Sequence, residues 1–112
     1  MKINNIIKEA GDVADKNDFY LIERDRTDNI INLNLVIDNG LFIQIYANAQ
    51  KDKVNLALIF KNRRLYGFDS EGGKYHCHPF DAPDQHVFVD ESKSIKDFVQ
   101  ESIRFLEDKE ML

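Results

Sequence analysis

The segment KYHCHPF, residues 74–80, holds two of the chain's three histidines and its only cysteine. In a β-strand successive side chains point to opposite faces, so His76 and His78 would project from one face, about 6–7 Å apart, with Cys77 on the other. His86 follows a loop that contains both prolines and can bring it back beside this pair. The spacing therefore predicts a histidine cluster, with Cys77 as a core thiol.

One chemistry that suits this spacing is metal binding. Neutral imidazole is a common ligand of zinc and other divalent transition metals, and an open fourth position would hold a reactive water. The ligands under this hypothesis are His76, His78 and His86. Asp69, Asp81 and Asp84 would be further ligands or would orient the rings through their N–H groups.

The second chemistry is acid/base catalysis without a metal. Histidine titrates near neutral pH, so two rings can share the roles of general base and general acid in phosphodiester cleavage. RNA supplies its own nucleophile, the 2′-hydroxyl, and a nearby cation would stabilise the developing negative charge. The residues assigned to catalysis are His76, His78, His86, Asp69 and Arg64. A third interpretation makes the histidines polar residues at a strand end that hydrogen-bond to loop carbonyls.

Two amphipathic helices are predicted at the ends of the chain. The first has an apolar stripe with spacings of three and four over residues 3–14, and Asn4 or Asn5 is expected to cap it. The second has a similar stripe over residues 95–106 and a capping signal that starts at Ser94.

Between these helices the apolar residues recur with a period of two, which is typical of strands with one buried face. IINLNLVI, LFIQIYA and VNLALIF are three such runs, and Asn39-Gly40 between the first two is a strong hairpin signal. Short links between strands favour an antiparallel meander. The prediction is a single α+β domain over residues 1–112, with an antiparallel β-meander of about five to seven strands and the N-terminal and C-terminal helices packed on one face.

The second face of this sheet is expected to be mixed in character. Its polar members are Asn32, Asn34, Gln44, Tyr46, Asn48 and Asn55. Three interpretations stay open: a binding surface for a partner, the interface of a homodimer, or the solvated side of a sheet that is buried on one face only.

The composition limits the classes of partner. The net charge is −5 and the pI is about 5.1, so the protein's field disfavours nucleic-acid binding by charge alone and suits a basic partner protein. KNRR, residues 61–64, is the dense positive patch. No apolar run reaches the ~20 residues of a membrane-spanning helix, no signal peptide is evident, and the lone cysteine fits a reducing compartment. We therefore expect a cytoplasmic protein without a membrane partner.

The run LALIFKNRRLYGFDSEGGKYHCHPFDAPDQHVFV, with the helix that follows it, resembles the TumE-like family of small toxins from toxin–antitoxin pairs. The matching residues are Phe68 and Asp69 for an aromatic–Asp step, His78 and Pro79 for a His-Pro step, and His86 for a later histidine. The chain departs from the family pattern where Cys77 separates the histidines, in the Gly-rich segment after Asp69, and in lacking a second late histidine.

The resemblance implies a small cytoplasmic toxin that a DNA-binding helix-turn-helix antitoxin neutralises. Together with the histidines it predicts a growth inhibitor that cleaves RNA or nucleotides. Two alternatives stay open: a non-enzymatic protein-binding module and a structural metal-binding domain.

Overall fold

The computed structural model describes all residues, 1–112. Its elements, in chain order, are α1 (Ile3–Asn17), β1 (Tyr20–Arg26), β2 (Ile30–Asp38), β3 (Leu41–Asn48), β4 (Lys53–Phe60), β5 (Arg63–Glu71), β6 (Lys74–His78), β7 (Val87–Val89) and α2 (Ile95–Asp108). Each strand pairs antiparallel with the next, so the sheet has the order β1-β2-β3-β4-β5-β6-β7. Both helices pack on this sheet and on each other. The predicted α+β meander with terminal helices is confirmed.

The hydrophobic core lies between the two helices and one face of the sheet. Alternate residues of β2, β3 and β4 enter it, among them Leu33, Ile45 and Leu58, and the helices contribute Ala10 and Phe98. This alternation fixes the register, because a slip of one residue would turn the apolar side chains to solvent. The same register decides which polar side chains share the second face. Neither helix is long and apolar enough to cross a membrane.

Tight turns join the strands that form the candidate site. Between β5 and β6 the chain reverses at Gly72 and Gly73, whose φ angles of 57° and 83° are rare for residues with a side chain. This two-residue turn sets the register that places Asp69 opposite His76. The hairpin turn predicted at residues 39–40 likewise joins β2 to β3.

The two helices begin in different ways. Ser94 caps α2 as predicted, since its Oγ accepts a hydrogen bond of 3.0 Å from the backbone N–H three residues on. The predicted cap of α1 by Asn4 or Asn5 is wrong: α1 begins at Ile3, and Lys2 occupies the cap position without a side-chain hydrogen bond. Because Ile3 is buried, packing of the apolar stripe sets this start in place of a polar cap.

We call the sheet face opposite the helices the open face. Cross-strand pairing aligns its side chains in rows that run across the sheet. From β2 onwards, the Asn32 row consists of Asn32, Tyr46, Asn55, Asp69, His76 and Phe88. From β2 onwards, the Asn34 row consists of Asn34, Gln44, Ala57, Gly67 and His78. On β1, Asp25 is opposite Asn32 and Ile22 is opposite Asn34. Histidines and amide side chains therefore share one face and two continuous rows.

Candidate active site

Strands β5 and β6 position the two histidines of the segment 74–80. Asp69 lies opposite His76 and Gly67 lies opposite His78, and all four residues belong to the open face. Cys77 points to the helix side, where it is partly buried against the core. The alternation of strand side chains thus separates the thiol from the imidazoles, as the sequence predicts.

His78 is buried and both of its ring nitrogens have partners. Its side chain is 1% exposed, its Nε2 lies 2.9 Å from Oδ2 of Asp69, and its Nδ1 lies 3.1 Å from the carbonyl oxygen of Pro83. A carbonyl oxygen can only accept, so Nδ1 carries a proton and donates it to Pro83. The short distance from Nε2 to Oδ2 of Asp69 corresponds to a hydrogen bond, so both ring nitrogens are engaged and the orientation of the ring is fixed.

Gly67 provides the space in which the His78 ring lies. A Cβ atom at Gly67 would come within 3.2 Å of Cδ2 of His78 and within 3.2 Å of Cδ of Arg64. Such approaches are closer than nine in ten Cβ contacts in proteins. A glycine inside a strand often marks this kind of close approach, and here the group that approaches is the imidazole.

The loop between β6 and β7, residues 79–86, covers the end of β6. Phe80 stacks on Tyr66 and on Phe105 of α2, with ring centroids 3.9 Å apart in each pair. Further along the loop, the carbonyl oxygen of Pro83 accepts a hydrogen bond of 3.1 Å from Nη2 of Arg64, in addition to the bond from the buried imidazole. The loop is therefore held at two points, one on each side of the sheet.

This loop returns His86 to the other two histidines. The ring centroids of His86 and His78 lie 4.4 Å apart, and those of His86 and His76 lie 6.1 Å apart. Phe88 of β7 packs edge-on against His76, with 4.4 Å between centroids. His86 is exposed and His76 is half-buried, so a molecule at the surface can reach both rings, whereas it cannot reach His78.

All residues that the sequence assigns to catalysis lie in this region: His76, His78, His86, Asp69 and Arg64. Arg64 joins it through the carbonyl group of Pro83. Asp69 is the carboxylate bonded to an imidazole, whereas Asp81 and Asp84 are exposed in the loop.

A metal does not fit the side chains as they are arranged. No group of three or more His, Cys, Asp or Glu residues is placed to hold a metal ion. The two nitrogens of His78 already face the oxygens of Asp69 and Pro83, so neither offers a free lone pair to a metal. The ligand set His76, His78 and His86 would require that at least one of these hydrogen bonds break.

Three contributors to the site were not identified from the sequence. Gly67 has a visible signal, because it is an isolated glycine in the strand pattern RLYGFDS. The carbonyl group of Pro83 has none, since a backbone acceptor does not depend on residue type. Phe80 has no distinctive sequence signal either, because its role depends on stacking between Tyr66 of β5 and Phe105 of α2.

A separate polar network lies on the helix side of β5 and β6. The hydroxyl group of Tyr66 donates a hydrogen bond of 2.8 Å to Oε2 of Glu101, whose other oxygen bonds to Lys93. Burial raises the pKa of Tyr66, and the hydrogen bond to Glu101 raises it further. Burial also raises the pKa of the Cys77 thiol, against a smaller lowering by Lys93. Cys77 is therefore a protonated thiol at neutral pH, which does not favour a role as nucleophile.

The fold and the site define a small α+β protein in which a buried His78, bonded to the partly exposed Asp69, lies beneath two accessible histidines. Comparison with protein-family models, with curated proteins and with solved structures finds no match. The resemblance to the TumE-like family stays a prediction.

Proposed function

We propose that this protein cleaves phosphodiester bonds of RNA or nucleotides by acid/base catalysis without a metal, as a toxin-like inhibitor of growth. One observation supports it above the others. The accessible rings of His76 and His86 have centroids 6.1 Å apart, next to the buried His78 and its partner Asp69. Two imidazoles at this separation can contact opposite sides of one phosphate group.

In the proposed reaction the substrate supplies the nucleophile. One accessible ring takes the proton of the 2′-hydroxyl while the 2′-oxygen bonds to phosphorus. The other ring, in its protonated form, gives a proton to the 5′-oxygen while the bond from phosphorus to that oxygen breaks. The products are a 2′,3′-cyclic phosphate and a free 5′-hydroxyl group, and the protein ends with one proton moved from one ring to the other.

Arg64 is the residue that we expect to contact the phosphate. Its side chain is exposed, and only Nη2 is engaged, with the carbonyl oxygen of Pro83. A guanidinium group has five N–H donors, so several remain for phosphate oxygens. Charge stabilisation by such a donor is among the larger contributions to phosphoryl chemistry.

His78 and Asp69 act as positioning residues in this proposal. His78 is 1% exposed and does not reach the substrate. It holds the carbonyl group of Pro83, and so the loop that carries His86, while Asp69 fixes the orientation of its ring. By holding this loop, the pair keeps His86 beside His76.

A helix-turn-helix antitoxin is the partner proposed for the toxin role. The net charge of −5 suits a basic, DNA-binding protein, and the sequence resemblance implies the same class of partner. Strand β1 supports protein binding more generally, because it is an edge strand whose residues are all exposed. Tyr20 and Ile22 on this strand are 79% and 46% exposed.

The same edge favours the second candidate function, a non-enzymatic protein-binding module. An exposed strand edge offers unpaired backbone groups that can pair with another chain. Substitution of Tyr20, which lies outside the Asn32 and Asn34 rows, by Lys separates the two functions. If the protein is only a binding module, this change removes its biological effect, and substitutions of the histidines do not.

The proposed function is tested by cleavage of single-stranded RNA with protein purified without an affinity tag. His76→Ala and His86→Ala are expected to lower the rate by about 10²–10⁴-fold, the usual contribution of general acid/base catalysis. Gln85→Ala, at an exposed position next to His86, is the matched control and is expected to keep the activity. Equal rates in all variants would remove the site. Growth assays with the same variants then test the toxin role.

A further inference from the structure

We propose that the amide side chains of the open face form a nucleobase-binding surface that leads single-stranded RNA towards the histidines. The identity of the ligand as RNA rests on the proposed function. The surface itself is inferred from hydrogen-bond groups that lack partners and from the order of residues in two rows. It is independent of the acid/base assignments.

Three amide oxygens on this face are buried without a partner. They are Oδ1 of Asn32, Asn34 and Asn55. Asn34 lies in the middle of β2 and is only 7% exposed as a residue. A buried polar atom without a hydrogen bond is uncommon and destabilises the fold. Three on one face of a small sheet indicate groups kept for a ligand.

Two of these amides, Asn32 and Asn34, line a depression of about 430 Å³ on the open face, together with Gln44 and Phe42. Asn55 lies outside the depression, opposite Tyr46 in the Asn32 row. Arg24 and Asp25 both stand at this depression and have opposite charges, so the site suits a ligand group that is itself uncharged. A base meets this condition better than a phosphate does.

Nucleobases match the chemistry of these side chains. Asn and Gln amides have one donor side and one acceptor side, which is the pattern that base edges present. The last torsion of an Asn side chain is roughly two-fold, so a half-turn exchanges oxygen and nitrogen at small cost. After such a half-turn, the Oδ1 atoms that now face the sheet would face outwards and could accept a hydrogen bond from a base N–H group. Phe42 and Tyr46 provide aromatic faces on the same surface for stacking.

The rows lead from the depression to the histidines. Along the Asn34 row, the position after Gln44 is Ala57, whose small side chain leaves the sheet surface low, and the next is Gly67, which the His78 ring covers. Along the Asn32 row, Asn55 is directly opposite Asp69, which is opposite His76. From β2 to β6 there are four strand spacings, about 19 Å, a path long enough for several nucleotides.

Recognition of bases also agrees with the acidic charge of the protein. Binding that depends on phosphate contacts weakens steeply with salt, with a slope of about −0.7 per contact for single strands. Arg24 lies at the depression and Arg64 beside the histidines. Phosphate contacts from these two side chains alone give a slope of about −1.4 for log affinity against log salt. Contacts from Lys53 and Lys74, in the neighbouring row of the open face, would make the slope steeper.

The test measures binding apart from cleavage. The probe is a short, fluorescein-labelled single-stranded DNA of mixed sequence, which lacks the 2′-hydroxyl and is not cleaved. A variant with Asn34→Leu and Asn55→Leu is expected to raise its Kd roughly tenfold or more, as for the loss of one or two base contacts. The same variant is expected to melt no lower than the wild type, because the unpaired oxygens are gone. Asn5→Leu, exposed on α1, is the matched control, and an abasic probe is expected to bind weakly.

The inference would be overturned if the wild type did not bind the oligonucleotide, or if the double variant bound it with an unchanged Kd. Equal affinity of the wild type for the abasic and the normal probe would also overturn it. So would a double variant that loses a protein partner but still binds the oligonucleotide. Gln44→Ala, at a half-buried position of the same row, repeats the test if the double variant does not fold. Base-dependent binding without RNA cleavage would leave the inference standing and reject the proposed function, and cleavage with unchanged binding by the variants would do the reverse.

Discussion

Nε2 of His78 lies 2.9 Å from Oδ2 of Asp69, across the pairing of β5 with β6. The same imidazole holds the carbonyl group of Pro83 through Nδ1. One buried ring thus connects a strand carboxylate to the loop that carries His86. Stability of the fold and geometry of the proposed chemistry depend on the same pair, so both can be measured on the same variants.

Removal of the carboxylate is the first test of this connection. Asp69→Ala leaves Nε2 of His78 without a partner in a buried position, and we expect the free energy of unfolding to fall by about 1–3 kcal/mol. Asp84→Ala, at an exposed loop position, is expected to change it by less than about 0.5 kcal/mol. Urea titration measures both. Equal stability of the two variants would show that the pair contributes nothing.

Gly67→Ala tests the space under the imidazole. The added methyl group meets His78 and Arg64 at 3.2 Å, so the ring has to move, and we expect a loss of about 1–3 kcal/mol. Gly11→Ala in α1 is the matched control, because nothing lies within 4 Å of its added Cβ atom. That control is expected to gain about 0.5–1 kcal/mol from helix propensity. Thermal melting that moves in the same direction for both variants would contradict the packing argument.

Arg64→Ala tests the proposed phosphate contact. We expect the rate of RNA cleavage to fall roughly 10²-fold, the usual effect of removing one donor to a developing charge. Arg63→Ala removes an equal charge from an exposed neighbouring position and is expected to have a small effect. If the two variants lose activity equally, Arg64 acts only through the general charge of the segment 61–64.

The buried thiol predicts how stability depends on pH. Burial raises the pKa of Cys77 in the folded chain, so the thiol of the unfolded chain ionises first as pH rises. Its contribution to stability is complete below the ordinary value of 9.0 and is lost as pH rises towards the folded value. Cys77→Ala is therefore expected to lose less stability than the wild type between about pH 8 and pH 10. Urea titrations at these two pH values measure the difference, and equal losses would contradict the assignment.

The sequence predicts the elements of this fold because each is set by local spacing. The period of two separates Cys77 from the two histidines of β6, and the stripe from Ile3 places α1 on the core. The start of α1 does not follow from local spacing, because burial of Ile3 outweighs the capping preference of Asn4 or Asn5. Strand faces and the helix stripe are short-range effects, whereas the helix start depends on what the helix packs against.

The candidate site is only partly visible in the sequence. Residue types and strand faces indicate His76, His78 and Asp69 as neighbours. The hydrogen bond to the carbonyl group of Pro83 and the anchoring of Phe80 against α2 depend on the path of a loop. Loop paths follow from tertiary contacts between distant residues, which the local spacing of residues does not encode.

The central claim is that His76 and His86 cleave RNA without a metal. The most direct measurement is the identity of the new 3′-end after incubation of single-stranded RNA with tag-free protein in the presence of a metal chelator. We expect a 2′,3′-cyclic phosphate with the wild type and its loss in both His76→Ala and His86→Ala. Absence of cleavage by the wild type under these conditions, or the same cyclic product from both variants, would contradict the claim.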